Sequence, residues 1–479
     1  MAIRDGAVIW LGTDAAGLEQ FPRAERVDLA GALVTPAFVD SHVHLTSTGL
    51  RLTGLDLGPA TSREHCLRIL AGYLAAHPGQ PVWGHGWDDT RWDHPPSTDD
   101  VDGIAATVPV YLARVDVHSA VANTALRQMV SGLPAVSGFD HQRPLSAEAH
   151  HLVRAEARRL LTWEQRDEAR RTALDAAAAA GVVAVHECAG PQIGGGQDWA
   201  ELRELDHGVE IAGYWGEAVS TAAQARALIE ATGARGLAGD LFVDGALGSH
   251  TAWLTEDYTD APGHAGTCYL DAETIAEHLN ACTEAGVTAG FHVIGDAAVA
   301  AVVDAFESVA ARFGTAAVAR CGHRLEHLEM VSAEQAAKLG AWGVTASVQP
   351  NFDAMWGGRN GMYARRLGAD RAAGLNPLAL LASAGVPLAF GSDTPVTSMN
   401  PWSWVHAARH HRTAGAAIPE SSAFAAATAG GWQAGGVRDG LTGTLAPGAP
   451  ASYAVWETGE DATLPRCLRT VHRGVALYG

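Results

Sequence analysis

Short apolar runs alternate with alanine-rich amphipathic stretches through most of this chain. That is the pattern of buried parallel strands joined by crossover helices. Eight runs carry the strand signature, at 38–44, 182–187, 210–219, 241–245, 288–294, 323–327, 344–349 and 387–393. Helical periodicity fills the intervals at 154–180, 222–232, 272–285, 297–311, 333–340 and 377–384. Eight strands are the number that closes a (β/α)8 TIM barrel, and the fold class expected is α/β. The two ends differ, with short strands and turns at 7–10, 26–29 and 32–34, then at 452–456 and 471–477 after Gly448 and Pro450. Residues 1–38 and 440–479 are therefore expected to form one small β-sandwich domain together, beside a barrel over 39–439. The interval after the first strand, about 46–153, is too long for a loop. It is expected to be an inserted subdomain over the barrel mouth, with strands at 82–84 and 108–113.

Composition narrows the function. A chain of 479 residues holds one large barrel and a smaller lobe, and 47% hydrophobic with 18% charged residues is a globular balance. The formal charge of −20 argues against nucleic acid as a partner. Lys338 is the sole lysine and sits in Ala-Ala-Lys-Leu-Gly, so there is no Gly-Lys-Ser/Thr phosphate loop. Neither a Gly-x-Ser-x-Gly elbow nor a Gly-x-Gly-x-x-Gly turn occurs, which disfavours serine hydrolases and dinucleotide enzymes. Six scattered cysteines without a Cys-x-x-Cys pair fit a reduced, cytoplasmic protein. No apolar run reaches the roughly 18 residues of a membrane span.

Candidate chemistry lies at the strand ends, where barrel enzymes place their active sites. In Asp40-Ser41-His42-Val43-His44, positions two apart share a face, so both imidazoles can converge on one ion such as Zn²⁺ or Fe²⁺. His292, His327 and Asp393 end three further strands. Singly, each is ordinary: a strand-end histidine is often a hydrogen-bonded core residue, and Gly-Ser-Asp-x-Pro is a common turn. Their coincidence with the eight-strand count points to a metal site.

These segments, with Val34-Thr35-Pro36-Ala37, Trp83-Gly84-His85-Gly86-Trp87-Asp88, Arg114-Val115-Asp116-Val117-His118, the run from Asp244 to Ala252 and Leu445-Ala446-Pro447-Gly448, carry a resemblance that is nearly full length. The chain resembles the amidohydrolase superfamily (amidohydrolase family 3), in the branch similar to N-substituted formamide deformylases. Ala37 stands where that family usually has glycine. The resemblance implies one or two divalent ions, zinc first and iron or manganese next, held by His42, His44, His292, His327 and Asp393. It implies hydrolysis of a C–N bond in an amide, N-formyl or N-acyl compound by metal-activated hydroxide, with Asp393 as general base and then acid. With one ion, His42, His44, His292 and Asp393 are expected to hold it while His327 turns to the substrate.

Two-metal members of this branch carry a carboxylated lysine four residues before an Asp-Gly. That position here is Asp240, whose shorter side chain is not expected to span two ions easily. Glu187 is the other candidate bridge, and orienting a ligand histidine from behind is an equal reading for it. Trp87, Asp88, Trp92 and His118 from the insert, with Asp244, Gln349 and Asn351, are the candidates for substrate contact; Trp92 as readily just packs. Arg324 and Glu326 alternate with His327 and are expected between strand and helix. Two other readings use the same residues: a mononuclear deaminase of a heterocyclic amine, and a barrel that only binds. A small-molecule substrate, no membrane and a homodimer are the default partners.

Overall fold

Phe38–Val43, Val182–Ala189, Glu210–Trp215, Gly236–Leu237, Thr288–Val293, Arg324–His327, Thr345–Val348 and Leu388–Phe390 pair in sequence order as one parallel sheet. The computed structural model describes residues 1–459 and 464–479. The first and last strands meet through a Val43–Thr394 bridge, with Asp393 N–H donating to His42 O at 2.8 Å and His44 N–H to Thr394 O at 3.0 Å. These contacts close the barrel. Phe38, Val185, Phe291, Leu325, Val348 and Phe390 join the largest apolar cluster, which lies between the sheet and the surrounding helices.

The helices at Ala222–Thr232 and Ala272–Ala285 match the sequence expectation residue for residue. Thr221 and Gln224 form a reciprocal cap, Asp271 caps the second helix, and Gly233 and Gly286 end them in left-handed conformations. Elsewhere the expectation is corrected. The helix expected over 154–180 is two, Ala147–Arg159 and Trp163–Ala179, because Thr162 and Gln165 cap a new start. The fourth strand begins at Gly236, and the expected run at 241–245 follows it as an extended segment paired to His292 through two backbone bonds. Gly239, at φ 79°, makes the break between the two pieces.

Residues 26–29 are irregular, and the last expected strand splits at Arg473–Gly474. The chain ends contribute a four-stranded antiparallel sheet from Leu33–Pro36, Tyr453–Glu457, Arg466–His472 and Val475–Tyr478, and a two-stranded one from Ala2–Arg4 and Ala7–Trp10. Trp456 anchors the larger sheet, with its indole N–H on Thr35 and its ring 5.7 Å from Phe38. The insert carries its own mixed sheet of Leu55–Asp56, Val82–Trp87, Val110–Arg114, Ser119–Ala122 and Leu145–Ser146. The helix Leu45–Thr53, which follows His44, crosses Trp163–Ala179 at Gly49, where an added Cβ would lie 1.8 Å from Ala169 O.

Two predictions follow from the packing. Gly49→Ala forces these helices apart and should destabilise the protein by about 1–3 kcal/mol, read as a lower urea midpoint; an unchanged midpoint would show that the crossing yields freely. Two core histidines set an acid limit. His278 bonds Leu237 O, and His323 accepts from Ala289 N–H. Burial pushes His278 down to about 4, and burial with the nearby His278 pushes His323 down to about 3. Their folded pKa values lie below the unfolded one of about 6.5, so this stability is complete above pH 6.5 and is lost as pH falls toward 3. The urea midpoint should drop between pH 7.5 and pH 5, and less steeply in His323→Gln; equal slopes would exclude His323 from the effect.

Candidate active site

His42 ends the first strand with both ring nitrogens assigned work. Its Nδ1 lies 2.9 Å from Glu326 Oε2, an acceptor, so the ring donates there and Nε2 keeps its lone pair. Nε2 is buried without a hydrogen-bond partner and lies 3.3 Å from Asp240 and 3.5 Å from Asp393. His44 has Nε2 3.2 Å from the other Asp240 oxygen and 3.4 Å from Asp393, while its Nδ1 is buried without a partner. His327 donates from Nδ1 to Gln349 Oε1 at 2.8 Å, which likewise leaves Nε2 as a donor atom for an ion. Its ring is 5.0 Å from that of His42 and 4.4 Å from that of His292. Among the described residues three sets bring ligand atoms close enough for one ion: two that include an aspartate, His42, His44 and Asp240, and His42, His327 and Asp393, and a third of His42, Cys188 and Glu326.

The electrostatics ask for a cation. Burial opposes charge on His44, yet Asp240 and Asp393 push its imidazole up to about 9. Burial would likewise raise Asp240, but His42 and His44 hold it well below the carboxylate range. Burial, then the charges of His292 and His42, push His327 down to about 3, so it stays neutral. Imidazole nitrogens without partners around two buried carboxylates are a donor set suited to a divalent metal. The residues fit the ion that the resemblance implies.

The placement of the remaining candidates is mixed. Of the two bridge candidates, Asp240 stands among the histidines, while Glu187 Oε2 accepts from Leu45 N–H at 2.8 Å at the start of the helix after His44. Asp240 reaches both imidazoles, and it follows the strand break at Gly239, φ 79°. His292 lies outside these close sets, with Nδ1 3.7 Å from Asp244. His118 lines the cavity above the cluster, 5.0 Å from the His292 ring.

The other substrate-contact candidates lie elsewhere. Trp87 is buried in the insert's own core, donating to Leu112 O, and Trp92 packs against that core. Asp88 caps a short turn and pairs with Arg114. Asp244 is buried and accepts three backbone N–H groups, from Trp253, Ile294 and Gly295. Gln349 acts on His327, and Asn351 bonds Ser403. Lys338 pairs with Glu307 and Glu334 on an outer helix.

Sequence alternation misplaced Arg324 and Glu326. Both are fully buried and face the barrel interior, where Glu326 meets His42 and Arg324 reaches Ser41 O and His186. His327 has φ 70°, which breaks the two-residue alternation and lets Glu326 and His327 both face inward. Cys188, beside His42 and Glu326, was also missed. A buried thiol on a strand carries no signal that separates it from core.

A barrel with imidazoles and carboxylates gathered at one strand-end mouth defines a metal-dependent hydrolase. The sequence model described as "Amidohydrolase family" matches residues 25–478, and the chain belongs to that family. It is 30% identical over 436 residues to Protein LONG AFTER FAR-RED 3 of Arabidopsis thaliana, covering 84% of this chain and 73% of that one. With the N-substituted formamide deformylase of Arthrobacter pascens it shares 23% identity, over 82% of this chain and 76% of the relative. An uncharacterized metal-dependent hydrolase from Pyrococcus furiosus superposes with a TM-score of 0.71 at 26% identity, covering 95% and 94% of the two chains. No described helix is long and apolar enough to cross a membrane.

Removing the metal should destabilise the fold. An ion present at 100 times its dissociation constant contributes about 2.7 kcal/mol. A chelator should lower Tm and zinc should restore it; an unchanged Tm on complete metal loss would show that the donor cluster is stable empty.

Proposed function

We propose that this protein hydrolyses the C–N bond of an amide, N-formyl or N-acyl compound with a bound zinc ion. The observation that carries this reading is the convergence of His42 Nε2, His44 Nε2, Asp240 and Asp393 within 3.2–3.5 Å of one another's polar atoms. Those four residues would hold the ion, with His327 completing the shell. A second ion would draw on His327 and His292. When bound, the ion supplies Lewis acidity, lowering the pKa of water and polarising a carbonyl.

The chain's own groups do the rest. Asp393 is held in a left-handed conformation, φ 53°, by the loop that closes the barrel. Its carboxylate, 3.5 Å from His42 and 3.4 Å from His44, would take a proton from water and return it to the departing nitrogen. Burial, then the charge of His292, drives His118 well below its ordinary pKa. It therefore stands as a neutral imidazole able to donate a hydrogen bond to a developing oxyanion. Glu326 and Gln349 fix the tautomers of His42 and His327. The name of the Arthrobacter relative, an N-substituted formamide deformylase, supports the choice of bond.

Incubation with N-formyl, N-acyl and aminated heterocyclic compounds tests the reading, which expects amine release from the first two. Ammonia release from heterocycles alone would replace it with a deaminase. Asp393→Asn should lower kcat/KM by about 10²–10⁴ with the circular dichroism spectrum unchanged; retained activity would remove Asp393 from proton transfer.

A further inference from the structure

Buried Arg154 and half-buried Arg158 stand apart from the other buried arginines. Arg114 is neutralised by Asp88, Asp89 and Asp116, Arg170 by Asp198 and Glu201, and Arg324 by Glu326. Arg154 and Arg158 differ. They lie four residues apart on the helix Ala147–Arg159, where their like charges repel. Among the described residues neither has a carboxylate within ion-pair distance. Arg154 is 6% exposed, gives one N–H to Gln192 O at 2.8 Å and leaves Nε without a partner. Arg158 donates to Ser47 Oγ at 3.1 Å, lies 5.5 Å over the Trp83 ring and also leaves Nε unpaired. A cation shielded from water without a direct carboxylate partner is costly, and here two lie on one helix. Burial lowers the pKa of both, that of Arg158 to about 10, with the charge of Arg154 also lowering that of Arg158.

Both line one cavity that also reaches His44, His327, Asp240 and Asp393. A second cavity meets the cluster, lined mostly by apolar side chains such as Phe352, Trp356, Met362 and Val396, with Asp116 and Glu329 also on its wall. The two share His118, His292, His327 and Asp393. The reacting groups thus stand at the boundary between a cationic compartment and an apolar one.

We propose that the substrate is an amphiphilic acid, of the N-acyl amino acid type, whose carboxylate is held by Arg154 and Arg158 while its apolar group lies against Phe352 and Trp356. This rests on the C–N hydrolase reading and adds the substrate class to it. The planar guanidinium fork suits a carboxylate, which can take two parallel N–H bonds.

N-acetylphenylalanine and its neutral carboxamide form the test pair, assayed with the purified, zinc-loaded protein by steady-state hydrolysis and by calorimetric binding. The carboxylate should exceed the carboxamide in kcat/KM by at least about tenfold, the scale of a hydrogen bond to a charged group. In Arg154→Gln and Arg158→Gln that ratio should fall toward one, mainly through KM, and Arg158→Lys should recover part of it. Equal use of the two compounds by the wild type overturns the proposal, as does a variant that lowers both by the same factor. The wild-type comparison decides even where a variant fails to fold. Hydrolysis without charge preference would leave the C–N reading standing and remove this one. Arginine-dependent binding of the carboxylate without hydrolysis would do the reverse.

Discussion

The contact between Glu326 and His42 sets the terms for everything around it. Two fully buried groups meet at 2.9 Å between the sixth and first strands, deep in the barrel, where neither is solvated. A carboxylate there survives only if it is paired, and Arg324 supplies the pairing from two residues away on the same strand. The Arg324 guanidinium is itself spread over Ser41 O, Ser347 and His186, and it lies 4.3 Å over the Tyr214 ring. This network ties the first, second, third, sixth and seventh strands together below the site. Its consequence above is chemical: with Nδ1 committed to Glu326, the His42 ring can offer only Nε2 to the mouth. The same logic recurs at His327 with Gln349, so the histidine tautomers are fixed before any ligand arrives.

Barrel closure and site assembly are one event. The backbone bonds that join the first strand to the eighth run from Asp393 to His42 and from His44 to Thr394. The residues that zip the barrel shut are therefore the residues, or neighbours of the residues, that meet over the ion. Asp40 adds to this by accepting from the Ser392 backbone and hydroxyl while facing the interior. A site formed at a seam is as rigid as the seam, which serves a reaction that depends on holding a proton acceptor at a fixed distance.

Much of this was legible in the order of apolar runs. Strands buried on both faces read as continuous hydrophobic segments, and seven of the eight barrel strands lie where those runs are. The fourth was misplaced because Gly236–Leu237 is too short to leave a periodic trace, and the run that follows pairs only through single bonds around His292. His42, His44, His327 and Asp393 could be picked out because strand-end position is itself a sequence property. Glu326 could not, since a two-residue alternation assigns it to the face away from His327, and nothing in Arg-Leu-Glu-His announces a left-handed residue. Arg154 and Arg158 were invisible for another reason: an arginine pair on a helix reads as a solvated face until tertiary packing removes the water.

Asp240 shows how backbone and side chain trade against each other. A long side chain on an unbroken strand can reach the mouth of a barrel from its wall. An aspartate is shorter, and here it stands just after the fourth strand has broken. Gly239 turns through φ 79° against Cys188, and Gly216 lets the Asp240 backbone approach so closely that an added Cβ would lie 2.7 Å from it. Glycine at both positions permits these close approaches and the positive φ of Gly239. The two oxygens then divide between His42 and His44, so one short residue serves both imidazoles of the His-x-His pair. The donor set is consequently more compact than one spanned by a long bridging group. His292 packs against His118, and both line the two cavities that meet at the cluster.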